Sequence, residues 1–179
     1  AVCCDELEKE GFEVIRVAPD SGGKISAEDI VSAVDDNTCL VSCMLVNNET
    51  GRILPIEQAF SAIKRRFPQA VTHSDCVQGY LKIPLKVKKL SADIISLSGH
   101  KIHAPKGIGA MYIKKGVRVP PFMRGGGQEK GFRSGTECVP LICGFGAAVE
   151  RYSDTIAERF EKAHSLRKYL FEKCDEHGI

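Results

Sequence analysis

Apolar and polar positions along the chain switch repeatedly between a helical and a strand-like period, and the switches predict the order of elements. Residues 2–10 carry helical spacing that stops at Gly11, and "FEVIRVA" (12–18) follows as a strand. "SAEDIVSAV" opens a second helix: Ser26 is a suitable N-cap, with Glu28 and Asp29 at the positive end of the helix dipole. "TCLVSCMLV" (38–46) is a continuous apolar run and predicts a buried strand. "PIEQAFSAIKRRF" predicts a helix with Pro55 at its first position and Ile56, Phe60 and Ile63 on one face. "AVTHSD", "ADIISLS" and "GAMYIKK" are three further strands.

Strands separated by helices of about ten residues predict an α/β fold, a mostly parallel sheet with helices covering both faces. The strand after the glycine turn at 107–109 follows too closely for a helical crossover, so antiparallel pairing is expected there. From Val139 the period changes. Phe145, Val149, Tyr152, Ile156, Phe160, Ala163, Leu166 and Leu170 recur at three- and four-residue steps, predicting a long C-terminal helical region. The expected division is an α/β unit over 1–150 and a long helix over 151–179. The chain opens in mid-pattern and its last helix leads to nothing further, so a piece of a longer protein is expected.

Composition narrows the function classes. With 43% hydrophobic and 27% charged residues the chain reads as an ordinary globular protein rather than a disordered one. A net charge of +2 gives no ground for a nucleic-acid partner; Lys64-Arg65-Arg66, expected in a helix, and the Lys86–Lys89 stretch, expected in a loop, read as solvated faces. No apolar run approaches the roughly 18 residues of a membrane span. The eight cysteines, at 3, 4, 39, 43, 76, 138, 143 and 174, form no C-x-x-C pair, which argues against a zinc site. Free thiols without a secretion signal point to a reducing cytoplasm.

The candidate chemistry gathers at strand ends, where open α/β sheets bind their ligands. The run at 39–46 ends in Asn47-Asn48-Glu49-Thr50-Gly51, the run at 70–74 in Asp75 with Gln78 soon after, and the run at 92–97 in Ser98-Gly99-His100-Lys101. Singly, each has a plainer reading. Asp75 can cap a helix, Asn48 can hold a turn, a lone lysine is ordinarily solvated, and "GGGQEKG" is ordinarily a flexible loop. "KGIGA" lacks the Gly-Lys-Ser/Thr ending of a P-loop. Together they fit a lysine whose amine condenses with an aldehyde cofactor. A carboxylate at Asp75 would keep a pyridine nitrogen protonated and the ring electron-withdrawing. Gln78 and Asn48 would hydrogen-bond the ring oxygen, and Ser98 and His100 a phosphate. That set describes pyridoxal 5′-phosphate (PLP).

"VNNETG", "HSDCVQ", "SGHKIHAPKGIGAMYI" and "GGGQEKGFRSGTECVP", in this order, resemble the cysteine desulfurases and the related selenocysteine lyases. These are fold-type I PLP enzymes grouped with the class V aminotransferases, and the resemblance covers almost the whole chain. It implies that 1–150 is part of a PLP-binding large domain and that 151–179 leads to a small C-terminal domain. It implies Lys101 as the lysine that bonds the cofactor, Asp75 as partner of the pyridine nitrogen, and Gln78 and Asn48 near the ring hydroxyl. Ser98 and His100 become phosphate ligands. Thr136, in "RSGT", would reach the phosphate of a neighbouring subunit's cofactor, implying a homodimer.

The activity so implied releases L-alanine from L-cysteine, leaves the sulfur as an enzyme persulfide, and passes it to an iron–sulfur scaffold or thiolation protein. The alternatives are a selenocysteine lyase, another class V enzyme such as an aminotransferase, or a non-catalytic α/β interaction module. Cys76 and Ser74 stand where the family commonly has Ala and Val, Ala104 replaces the Gly of a "G-P-K-G" turn, and Cys138 stands near a usual Asn. The family's persulfide cysteine belongs beyond Ile179 and its ring-stacking His before Ala1. None of the eight cysteines is therefore expected to accept sulfur, Cys76 being read as a small buried side chain. His73 and His103 are expected to be structural or peripheral, and this stretch alone to bind cofactor weakly and lack activity.

Overall fold

The computed structural model describes residues 2–178. Three parallel strands, β1 (Leu40–Met44), β2 (Val71–Asp75) and β3 (Ile94–Ser98), lie side by side in chain order. β4 (Gly109–Ile113) pairs antiparallel with β3, as its short connection predicts. The helices are α1 (Val2–Lys9), α2 (Ala27–Ser32), α3 (Ile56–Arg66), α4 (Val87–Leu90), α5 (Val139–Ser153) and α6 (Ile156–His177), the last a long C-terminal helix. A mostly parallel, helix-flanked α/β sheet is thus the observed fold.

The core forms where sequence pattern and packing agree. α3 buries Ile56, Ala59, Phe60 and Ile63 completely, each large side chain contributing about 1.5–3 kcal/mol. They pack with Ile30 and Val31 of α2, Leu90 of α4 and Ile95 of β3. Ser26 caps α2 in a reciprocal box: its hydroxyl accepts from Asp29 N–H, and the Asp29 carboxylate accepts from Ser26 N–H.

The structure differs from the expectations in six places. "FEVIRVA" is not a strand: it has no ladder partner among the described residues, Phe12 and Ile15 are exposed, and Arg16 ties the segment back onto Asp5 and Glu8 of α1. Propensity without a neighbouring strand makes no sheet. Among the described residues, helices cover only one face of the sheet. Strands joined in sequential spatial order by right-handed crossovers carry those connections on one side, so α3 and α4 share a face. The opposite face leaves Leu40 48% and Met111 54% exposed, and β1 is half-exposed rather than buried.

The other three are local. Pro55 stands at the N-cap of α3 instead of its first turn, and Val87–Leu90 forms a short helix where a loop was expected. The C-terminal region is two helices. Asp154-Thr155 interrupts it, with the Ser153 hydroxyl on Asp154 Oδ1 and the Thr155 hydroxyl donating to Tyr152 O, local bonds that compete with the helical ladder.

Candidate functional site

The three parallel strands run the same way, so Met44, Asp75 and Ser98 end on one rim. Asp75 pairs with Ser96, and Ser98 stands two residues further along β3 on the same face. Strand spacing and rise put the Asp75 and Ser98 Cα atoms about 8 Å apart. The Asp75 Oδ1 accepts from Val77 N–H at 2.9 Å, which fixes the carboxylate and leaves Oδ2 as a free acceptor. The capping reading and the ligand reading of Asp75 are therefore compatible.

Directly after β3, Gly99–Ile102 turns into a 3₁₀ helix that carries His100 and Lys101. Ile102 and Ala104 anchor it by burying against Leu81 and Ala148 of α5, so Lys101 is half-buried on a packed base. Gly99 permits the turn: a Cβ there would stand 2.7 Å from Ile108 Cγ2 and 3.0 Å from the Ile108 carbonyl oxygen. Gly99→Ala is expected to destabilise the full-length protein by about 1–3 kcal/mol, read as a lowered urea midpoint. Ala104 brings no strain, because the left-handed residue of this turn is His103, at φ 64°.

Ser98 Oγ lies 2.7 Å from His100 Nδ1. If the hydroxyl donates, the ring's Nε2–H is left free; if Nδ1–H donates, the hydroxyl proton is. Either tautomer of the neutral ring therefore keeps one donor for an anion, and the imidazolium keeps two.

Gln78 and Lys82 sit on the turn after β2, pinned by buried Leu81 and by Gly79, where a Cβ would meet Leu45 Cδ2 at 2.8 Å. Lys82 Nζ donates to Gln78 Oε1 at 3.0 Å. Burial pushes the Lys82 ammonium below the usual lysine range, and the positive charges of Lys101 and Arg159 push it further. Gln78, Lys82 and Lys101 thus form one neighbourhood. Asn48 and Thr136 are not joined to it by any hydrogen bond among the described residues. Asn48 is exposed and donates to Glu49 Oε1, while its neighbour Asn47 organises the turn by accepting from Glu49 and Thr50 N–H. Thr136 is exposed at the end of the glycine-rich loop, beside Ser134, whose hydroxyl donates to Gly126 O.

Sequence reasoning missed the Lys82 contact, and it expected a structural His73 without its partners. Lys82 was legible only as one more basic residue, although its four-residue offset from Gln78 was a signal. His73 bridges three strands: Nδ1 is 2.8 Å from Ser42 Oγ and Nε2 3.2 Å from Ser96 Oγ. It lies two residues before Asp75 on the same face; burial lowers its pKa, and the Asp75 charge partly opposes this. Cys76 is fully buried and burial raises its pKa, while burial pushes the Cys43 thiol up to about 11. Neither is a ready thiolate. A separate concavity lined by Leu45, Leu54, Pro55, Ile83 and Leu90 opens beside α3; Asp75, Gln78 and Lys101 are not among its lining residues.

The donor set suits PLP: a fixed carboxylate with one free oxygen, a half-buried amine, and a Ser–His pair with a donor to spare lie at adjacent strand ends. Comparison with known proteins gives the family. Residues 1–178 match the family described as aminotransferase class-V. A cysteine desulfurase of Nostoc sp. is 43% identical over 167 residues, 93% of this chain and 41% of the relative. The cysteine desulfurase IscS of Rickettsia prowazekii is 44% identical over 172 residues, 95% and 40%. Among solved structures, a NifS-like protein superposes with TM-score 0.89 at 41% identity, covering 94% of this chain and 46% of the other. One described as SspA in complex with cysteine gives 0.79 at 39%, covering 84% and 43%. The chain spans less than half the length of these relatives.

Proposed function

The chain belongs to the class-V aminotransferase family, and from that premise we propose that it forms the PLP-binding part of a cysteine desulfurase, an enzyme removing sulfur from L-cysteine and releasing L-alanine, as its similarity to such enzymes supports. The observation that carries the reading is the shared rim, where Asp75, Ser98 and Lys101 follow adjacent parallel strands within one packed unit. The solved relative holding cysteine supports that substrate class. On this reading residues 1–150 belong to a large domain and 151–179 lead to a smaller one. The eight free thiols suit a reducing cytoplasm.

PLP, when bound, supplies an aldehyde for covalent attachment and a protonated ring that withdraws electrons from the substrate's α-carbon. The chain's residues do the rest. Lys101 would hold the aldehyde through its amine and is the amine at the rim suited to carrying a proton. Asp75 Oδ2 would accept from the ring N–H, its charge favouring the protonated ring. Gln78 would hydrogen-bond the ring oxygen, and Asn48, on the turn after β1, is the second residue suited to it. Ser98 and His100 would donate to the phosphate. Thr136, exposed at the end of the glycine-rich loop, is suited to a neighbouring subunit's phosphate in a homodimer. The persulfide sulfur then goes to a scaffold or thiolation protein.

The test is a paired assay on full-length protein loaded with PLP. Sulfide and alanine release from L-cysteine is expected to exceed selenide release from selenocysteine. Selenide release alone would make the protein a selenocysteine lyase, and amino-group transfer without sulfur release an aminotransferase. Failure to take up PLP would leave a non-catalytic module.

A further inference from the structure

We propose that Lys82 is a positioning residue: by occupying Oε1 of Gln78, it fixes that side chain so that its NH₂ end is the one offered to the rim. The inference rests on the reading of Gln78 as a group facing the cofactor's ring oxygen.

A glutamine amide is ambidextrous. Its oxygen and nitrogen ends have nearly the same shape, and a half-turn exchanges an acceptor for two donors. Lys82 removes the ambiguity, because an ammonium has donors only. With Nζ 3.0 Å from Oε1, the opposite orientation would set NH₂ against NH₃⁺. A ring oxygen that is negative at neutral pH needs a donor, and Lys82 ensures that Gln78 presents one.

The local structure holds the pair together. Gln78 and Lys82 are four residues apart on a turn rather than a helix. Tyr80 N–H and Lys82 N–H bond to Cys76 O and Gly79 O, and Leu81 adopts φ 54°. That left-handed conformation is unfavourable for a leucine, and the burial of Leu81 against Ile102 and Ala104 maintains it. The same cluster anchors the Lys101 turn, so the Gln78–Lys82 pair and Lys101 share one base. Among the described residues Lys82 has no carboxylate partner. A half-buried ammonium beside other cations is held without a counter-ion, which a merely structural lysine does not require.

The test is a double-mutant cycle in the full-length protein, with PLP affinity of the apo-protein read by fluorescence titration. Lys82→Met and Gln78→Ala are each expected to weaken binding about tenfold, the loss of one hydrogen bond involving a charged partner. The double variant is expected to match Gln78→Ala alone, since Lys82 acts through that amide. Lys82→Arg, donor-only like lysine, is expected to restore affinity to within about threefold. Lys82→Glu, an acceptor, is expected to turn the amide over and bind more weakly than Lys82→Met. A second readout needs no cofactor: the side-chain NH₂ resonances of Gln78 shift in Lys82→Met and return in Lys82→Arg. Independent, multiplying losses in the double variant would overturn the proposal, as would an unchanged Gln78 resonance in a folded Lys82→Met protein. If wild type itself takes up no PLP, the reading of the site fails; if it binds and Lys82→Met binds equally well, only the role of Lys82 falls.

Discussion

Lys101→Ala is expected to lower L-cysteine turnover by on the order of 10⁴-fold or more and to abolish the visible absorption of the lysine-bound cofactor, while the protein stays folded. The turn that carries Lys101 is held by its neighbours: Ile102 is buried against Leu81, and Gly99 is packed on Ile108. The lysine side chain anchors nothing, so its removal is expected to change stability by no more than about 0.5 kcal/mol. Lys82, the neighbouring amine, is engaged by Gln78 and is not free to replace it. Lys101→Arg separates charge from covalency, because a guanidinium keeps the positive charge but cannot bond the aldehyde; it is expected to be as inactive as alanine. A variant that kept the visible band would transfer the covalent role to a different lysine and sink the assignment. The measurement is an absorption spectrum beside a sulfide-release assay on full-length protein.

Which parts of this arrangement were legible beforehand follows from the range of the forces involved. The α3 stripe of Ile56, Phe60 and Ile63 and the Ser26 capping box are local patterns, and both stand as read. The antiparallel β4 followed from connection length alone. "FEVIRVA" failed because a strand exists only by pairing, which a single segment does not encode. The covering of both faces failed because strand order, rather than composition, decides which side the crossovers take. The break at Asp154-Thr155 hid beneath an apolar spacing that runs through it unbroken. At the site, Asp75, Ser98 and Lys101 were readable because each directly follows an apolar strand. The Ser42–His73–Ser96 chain was not, since it depends on the register of three strands. The Lys82–Gln78 bond depends on a left-handed leucine that no local rule would place there.

The opposite end of the sheet carries the largest expected effect on stability. Asp93 is 3% exposed at the start of β3, and its Oδ2 accepts from Thr72 N–H at 3.0 Å and the Thr72 hydroxyl at 3.2 Å. Lys64 of α3 pairs with the same carboxylate and also donates to Ala70 O at 2.6 Å; Lys114, after β4, lies 3.4 Å from Oδ1. One carboxylate therefore ties α3, β2, β3 and the chain after β4 together. Asp93→Ala would strand the Lys64 ammonium and leave Thr72 N–H unsatisfied, a loss of about 3–5 kcal/mol. At the length of the relatives, of which this chain spans 41%, that is a fall of roughly 4–6 °C in Tm, measured by calorimetry on full-length protein. Asp93→Leu combined with Lys64→Met is expected to recover much of the loss, since a buried pair replaced by apolar side chains is often neutral. Burial alone would raise the Asp93 carboxyl, but Lys64, Thr72 and Lys114 outweigh it and hold the group below its ordinary range. A carboxylate whose folded pKa is depressed stabilises the protein above its unfolded pKa of about 3.9, and that contribution disappears as pH falls through the folded value. Wild type is thus expected to lose stability over this acid range, and Asp93→Asn to lose less over the same range. Asp93 lies five residues before Ser98 on β3, about 16 Å from the rim. Its replacement is expected to leave turnover by the folded fraction unchanged, and a fall in kcat at temperatures where the variant is fully folded would refute this separation of stability from chemistry.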